Sequence, residues 1–177
     1  MAAIEAIATT YLEADAASVT FSSLGSYTHL QLRFSARTVR TSDLETVGIR
    51  FNSDTGNNYA TARIYGTASS AASGVEASTS RVYGAGQMPT ASMFPRTIYG
   101  QSVVDILDYA NANKNTSVMF HSAEVGSIAS GDTAYNTFGG GAWDSTAAVT
   151  SILLYPANGS SGFLRGSSFT LYGLKNS

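Results

Sequence analysis

VGIRFNSDTGNNYATARIYG, Val47–Gly66, reads as two strands joined by one polar loop. Val47, Ile49 and Phe51 alternate with Gly48 and Arg50, the period-2 pattern of a half-buried strand. Asn52–Asn58 then stacks turn formers, whose short side chains bond nearby amides and tolerate left-handed backbone. From Tyr59 the alternation resumes, with Ala60, Ala62 and Ile64 on one face and Tyr59, Thr61, Arg63 and Tyr65 on the other. The stretch predicts a hairpin whose turn fixes the register of its two strands.

Outward from it, the same periodicity recurs. Strands are expected at about 4–11, Ser18–Phe21, Tyr27–Val39, Ala77–Tyr83, Ile98–Tyr109, Thr116–Ala123, Thr133–Phe138, Val149–Tyr155 and Ser167–Leu174. In Tyr27–Val39, Leu30, Leu32 and Phe34 are expected to face inward. A helix over SVVDILDYANAN is the alternative to the strand at Ile98–Tyr109, but two β-branched valines and the flanking Gly100 favour strand. Thr67–Glu76 is rich in Ala, Ser and Gly and reads as an exposed loop; Gly84–Pro95, Val125–Gly131 and Pro156–Gly166 read as irregular. Gly139-Gly140-Gly141 before Ala142-Trp143 suggests a bend or bulge where backbones approach closely. Together with the two strands of the opening stretch, this makes about ten short strands. The expected fold is therefore all-β, an antiparallel two-sheet sandwich or a barrel. No linker or composition shift divides the chain, so residues 1–177 are expected to form one domain, with 1–17 an extended N-terminal arm or strand.

A domain of 177 residues can bury about 70% of its unfolded surface without a metal or disulfide staple. There are no cysteines, which removes disulfides, thiolate nucleophiles and Cys-based zinc sites and fits synthesis in a reducing cytoplasm. Charged residues make up 12% of the chain and net charge is −2. A surface so poor in charge solvates a lone monomer weakly and suits a chain whose faces are covered by copies or partners. The slight acidity argues against nucleic acid as a partner. Arg33, Arg37 and Arg40 form the one local basic cluster, expected to be a solvated face or a subunit contact. No apolar run is long enough to span a membrane, and MAAIEAIATTYLEAD lacks the basic segment and apolar core of a secretory signal.

Catalytic chemistry finds little support. No G-x-S-x-G elbow occurs, and the two histidines, His29 and His121, fall on strand positions facing away from apolar neighbours. No H-x-x-x-H exists, and the Asn52–Asn58 loop offers one carboxylate, Asp54, too few for a calcium loop. Asp105 and Asp108 fall on opposite faces of a strand, though on one face of the alternative helix, whereas Glu124 and Asp132 flank a loop and could converge as a carboxylate pair. Neither glycine-rich stretch has the ending of a phosphate loop or a dinucleotide fingerprint. No enzyme activity and no cofactor are expected. Tyr59, Tyr65 and Tyr99 near strand ends suit a subunit contact or a sugar-stacking surface; Trp143 suits the same role or a place in the core beside the glycines.

AIATTYL near the N-terminus, AASVTFSSL, YTHLQL, the Val47–Gly66 stretch, SILLYPANGS and the C-terminal GSSFTLYGL together resemble small virion structural proteins of tailed bacteriophages. The likeness lies in the first third and the C-terminal end of the chain. It implies a jelly-roll-like sandwich, a homotrimer, and display on the exterior of the particle after synthesis in the host cytoplasm. It brings over no catalytic residue. Two roles follow from it. One is a capsid decoration (cement) protein bound to the major capsid protein or other virion proteins. The other is a receptor-binding or glycan-binding head of a tail or head fibre, meeting host surface glycan. The N-terminal segment, with Ile4, Ile7, Tyr11 and Leu12, is the candidate for completing a neighbour's sheet. With Tyr59, Tyr65, Tyr99 and Trp143 it makes up the expected interface set.

Overall fold

The computed structural model describes residues 3–41, 44–67, 69–93, 98–125, 134–159 and 162–175. Among these residues twelve strands form: β1 (Ala3–Tyr11), β2 (Val19–Ser22), β3 (His29–Ala36), β4 (Leu44–Phe51), β5 (Tyr59–Gly66), β6 (Ala71–Thr79), β7 (Val82–Pro89), β8 (Gly100–Leu107), β9 (Thr116–Val125), β10 (Ala134–Trp143), β11 (Ser151–Pro156) and β12 (Ser168–Lys175). They make an antiparallel two-sheet sandwich. The larger sheet has eight strands in the order β1-β12-β3-β8-β9-β10-β5-β6, and the smaller has four in the order β2-β11-β4-β7.

The core lies between the sheets. Leu30, Leu32, Phe34, Val104, Ile106, Phe120, Phe169 and Leu171 point in from the large sheet, against Val47, Ile49, Phe51, Ile152 and Leu154 from the small one. Period-2 alternation is what places them, since each strand buries one face and shows the other. Phe169 anchors one end of the core, with its ring 5.6 Å from Phe34 and 4.9 Å from Phe163.

The opening stretch is not a hairpin. Both of its strands form at the expected residues, but β4 lies in the small sheet and β5 in the large one. Residues 52–58 therefore arch across the end of the sandwich. Asn52, at φ +52°, holds the small-sheet side. Its Oδ1 accepts from the backbone N–H of Thr150 at 2.7 Å and of Ser151 at 3.2 Å, at the start of β11. Asp54 holds the large-sheet side. It accepts from Trp143 Nε1 at 2.7 Å, Gly56 N at 2.7 Å and Asn58 Nδ2 at 3.0 Å. The Tyr59 hydroxyl accepts from Phe51 N at 3.0 Å, and the Tyr59 and Trp143 rings stack at 6.2 Å. Periodicity fixes which face of a strand is buried but not which sheet it joins, so hairpin and arch look alike in sequence.

Two expected loops are strands. Residues 71–76 of the Thr67–Glu76 region belong to β6, the edge of the large sheet, and Gly84–Pro89 of the Gly84–Pro95 stretch belongs to β7, so the expected strand Ala77–Tyr83 is split between the two by a bend at Ser80 and Arg81. Their Ala, Ser and Gly content lacks β propensity, and pairing overrides it. The triple glycine of β10 makes no bulge, because its register with both neighbours is unbroken. Close approach is what it supplies. A Cβ on Gly139 would lie 2.5 Å from Phe120 Cζ and 2.7 Å from the Ala62 carbonyl oxygen, and one on Gly141 would lie 2.7 Å from Val82 of β7. Of the arm or strand expected at residues 1–17, Ala3–Tyr11 forms the strand β1, which pairs with β12 of the same sheet with a register shift between Ala6 and Ala8. The Ile98–Tyr109 region is strand, not helix, and the inward residues of β3 are those expected.

Two substitutions test this scaffold. Asp54→Ala leaves the Trp143 indole N–H and the Gly56 amide unpaired and is expected to cost about 1.5–3 kcal/mol in urea unfolding at neutral pH. Hydrogen bonds from Asn58, Trp143 and Gly56 hold the Asp54 carboxyl below its ordinary 3.8. Its contribution is thus complete above that value and fades as pH falls, so the gap between variant and wild type should close in acid. Gly139→Ala should lose about 1–3 kcal/mol by overpacking Phe120, read as a lowered Tm.

Candidate functional site

The outer face of the large sheet is the feature that the core does not explain. Register aligns its side chains in rows. One row runs Thr9, Thr170, Arg33, Val103, His121, Phe138, Ile64, Ser73. The next runs Ala6, Tyr172, Gln31, Asp105, Met119, Gly140, Ala62, Val75. Among the described residues the exposed large hydrophobics are Ile4, Tyr11, Ile64, Val75, Val103, Leu107, Met119 and Phe138. All of them stand on this one face. Ile64 is 62% exposed, Val75 77% and Phe138 50%. Single exposed apolar residues need no explanation, but the six on β8, β9, β10, β5 and β6 are neighbours, and a contiguous apolar set is characteristic of interaction surfaces.

Charge divides the face. Toward β1, Arg33 lies 5.4 Å over the Tyr172 ring and donates to Gln31, which in turn donates to Asp105 at 2.7 Å. Across the outward positions of β9, β10, β5 and β6 there is no Asp, Glu, Lys or Arg. A shallow open depression of about 710 Å³ lies there, between Ile64, Phe138, His121, Asn136 and the Ala71–Ser73 segment. His121 Nε2 is 2.7 Å from Asn136 Oδ1, so its polar partner is an amide.

The expected interface residues are scattered over different environments. Ile4 and Tyr11 are exposed on β1, on the outer face, and Ile7 packs against the core at the register shift. Leu12, Tyr59 and Trp143 are buried in the core and offer a partner no surface. Burial pushes the Tyr59 hydroxyl pKa up to about 12. Tyr65 is half-buried, stacked at 6.0 Å on Tyr135, and Tyr99 donates to the Arg165 carbonyl at 2.7 Å. The basic cluster also dissolves: Arg37 is buried and donates to the Thr90 carbonyl at 3.0 Å, while Arg40 donates to the Leu44 carbonyl at 2.9 Å.

Val103, Leu107, Met119 and Phe138 are the residues sequence reasoning missed. Their signal was a strand apolar on both faces, as in Val103, Val104, Ile106 and Leu107 of β8. Such runs ordinarily indicate a strand covered on both sides.

The same geometry disposes of the candidate carboxylates. Asp105 is held by Gln31, and Asp108 by Lys114, whose ammonium keeps its pKa below the usual carboxylate range. The Asp108 backbone N–H donates to His29 Nδ1 at 3.0 Å. Asp132 lies outside the described residues. No group of three or more His, Asp or Glu among the described residues could hold a metal ion. No protein family, curated protein or solved structure matches this chain.

Glu124, on the inward side of β9, is buried, and neither carboxylate oxygen has a hydrogen-bond partner among the described residues. Desolvation raises its pKa from 4.5 to about 7. The folded state therefore holds a proton that the unfolded chain releases near 4.5, and stability falls as pH rises from there to about 7. Glu124→Gln removes that dependence. In denaturation at pH 4 and pH 8, the variant's stability relative to wild type should rise with pH by on the order of 1–3 kcal/mol.

Proposed function

We propose that the chain is a structural protein of a tailed-bacteriophage virion, a jelly-roll-like capsid decoration protein that works by assembly rather than catalysis. In this reading it binds the outer capsid surface as a homotrimer, touches the major capsid protein, and stabilises the head by burying surface. The observation that carries the reading is the gathering of the exposed large hydrophobics onto one sheet face, whose β9–β6 half bears no charge. A chain with 12% charged residues is poorly suited to stay alone in water, and covering that face would lower its free energy by about 25 cal/mol per Å² of apolar area. The resemblance of its sequence motifs to those of small virion proteins supplies the setting.

One observation favours a second role, a glycan-binding head on a tail or head fibre. The depression beside Ile64 sets the Phe138 ring near a His–Asn pair, and apolar stacking beside a few polar groups is how a neutral sugar would be held. Gel densitometry of purified particles separates the two. Decoration predicts a stoichiometry comparable with that of the major capsid protein, and loss of the chain should lower the temperature at which heads rupture. A handful of copies per particle would transfer the reading to a fibre, and absence from particles would overturn both.

A further inference from the structure

We infer that the outer face of the large sheet, centred on β9, β10 and β5, is where copies of this chain meet one another. The inference rests on the reading of that face as an assembly surface, though not on its placement in a virion. Three observations select a second copy as the occupant.

The first is charge. A nucleic acid, an acidic peptide or a basic tail needs counter-charges, and the outward positions of β9, β10, β5 and β6 supply none. A copy of the same chain brings a surface equally free of charge, so neither unpaired nor like charges are buried. The charges that the face does carry toward β1, Arg33 and Asp105, are opposite in sign and already joined through Gln31.

The second is size. Eight strands spaced about 4.8 Å apart, each roughly 23 Å long, make a face of roughly 800 Å². That is about what each partner contributes to a stable protein interface. The apolar part from β8 to β6 is roughly 500 Å², toward the upper end of what a monomer leaves in water.

The third is arrangement. Phe138 and Ile64 are directly paired across β10 and β5, with Met119 one row away on β9. Ser117, Asn136, Gln101 and Arg33 stand around them. An apolar centre with aromatic and methionine anchors inside a polar surround is the anatomy of a protein contact. A saccharide would need many donors and acceptors around its ring, whereas this apolar centre offers few, and His121 Nε2 and Asn136 Oδ1 already face each other.

The full chain at micromolar concentration is expected to sediment as an oligomer of the 18.5 kDa chain, three copies being the number that the proposed function requires. Phe138→Glu and Ile64→Lys, made separately, should each raise the dissociation constant by at least about tenfold and yield monomer. Both residues are exposed in the single chain, so far-UV circular dichroism should not change. Thr20→Glu, on the exposed side of β2 in the other sheet, should leave the mass as it was. A second readout is oxidation of Met119, which is exposed in the single chain. It should be slow in the wild type and fast in either variant. A monomeric wild type, or an oligomer that survives both variants with Met119 still readily oxidised, would overturn the inference. An assembly of two copies lost in both variants upholds the contact and overturns the trimer of the proposed function. A trimer lost in both variants, from a chain absent from particles, upholds the contact and overturns the virion role.

Discussion

Asp54 is the point on which the two sheets are joined. Its carboxylate takes the indole N–H of Trp143 from the large sheet while its own loop leaves the small sheet at Phe51. Asn52, two residues earlier, takes the amides that open β11. Between them these side chains satisfy donors on both layers at the end of the sandwich. A buried or half-buried amide left unpaired costs far more than a paired one contributes, so the arch is constrained to this geometry. Tyr59 completes it, with its ring stacked on Trp143 and its hydroxyl on the Phe51 backbone.

Close layering then depends on what is missing from β10. Gly139 leaves room for the Phe120 ring and Gly141 for Val82, so β7 can lie across β9 and β10 without a gap. Interiors are packed as densely as organic crystals, and a methyl group at either position would have to displace a neighbour. Thus the glycine run that looks like a break in the strand is what allows the strand to be covered.

Coverage stops at the other side. The large sheet is filled on its inner face by the small sheet, but its outer face holds Val103, Met119, Phe138, Ile64 and Val75 in water. A sandwich with one layer of eight strands and one of four leaves that broad face with nothing over it among the described residues. The chain's scarcity of charge and the location of its exposed apolar side chains are two aspects of the same fact. The assembly role proposed for it rests on that unbalanced construction.

Much of this was legible in the residues. Alternation placed β3, β4, β5, β8, β9 and β12 and named the inward residues of β3, because a half-buried strand must repeat every two positions. The absence of cysteine and the low charge were decided by composition alone. Tertiary structure alone decided three things. It sent β4 and β5 to different sheets, since the same loop chemistry serves a hairpin or an arch. It made strands of the small-residue segments β6 and β7, where pairing outweighs weak propensity. And it turned Tyr59, Leu12 and Trp143 inward while leaving Met119 and Phe138 outside. Periodicity separates a strand's two faces, but only the partner sheet determines which of them meets the core.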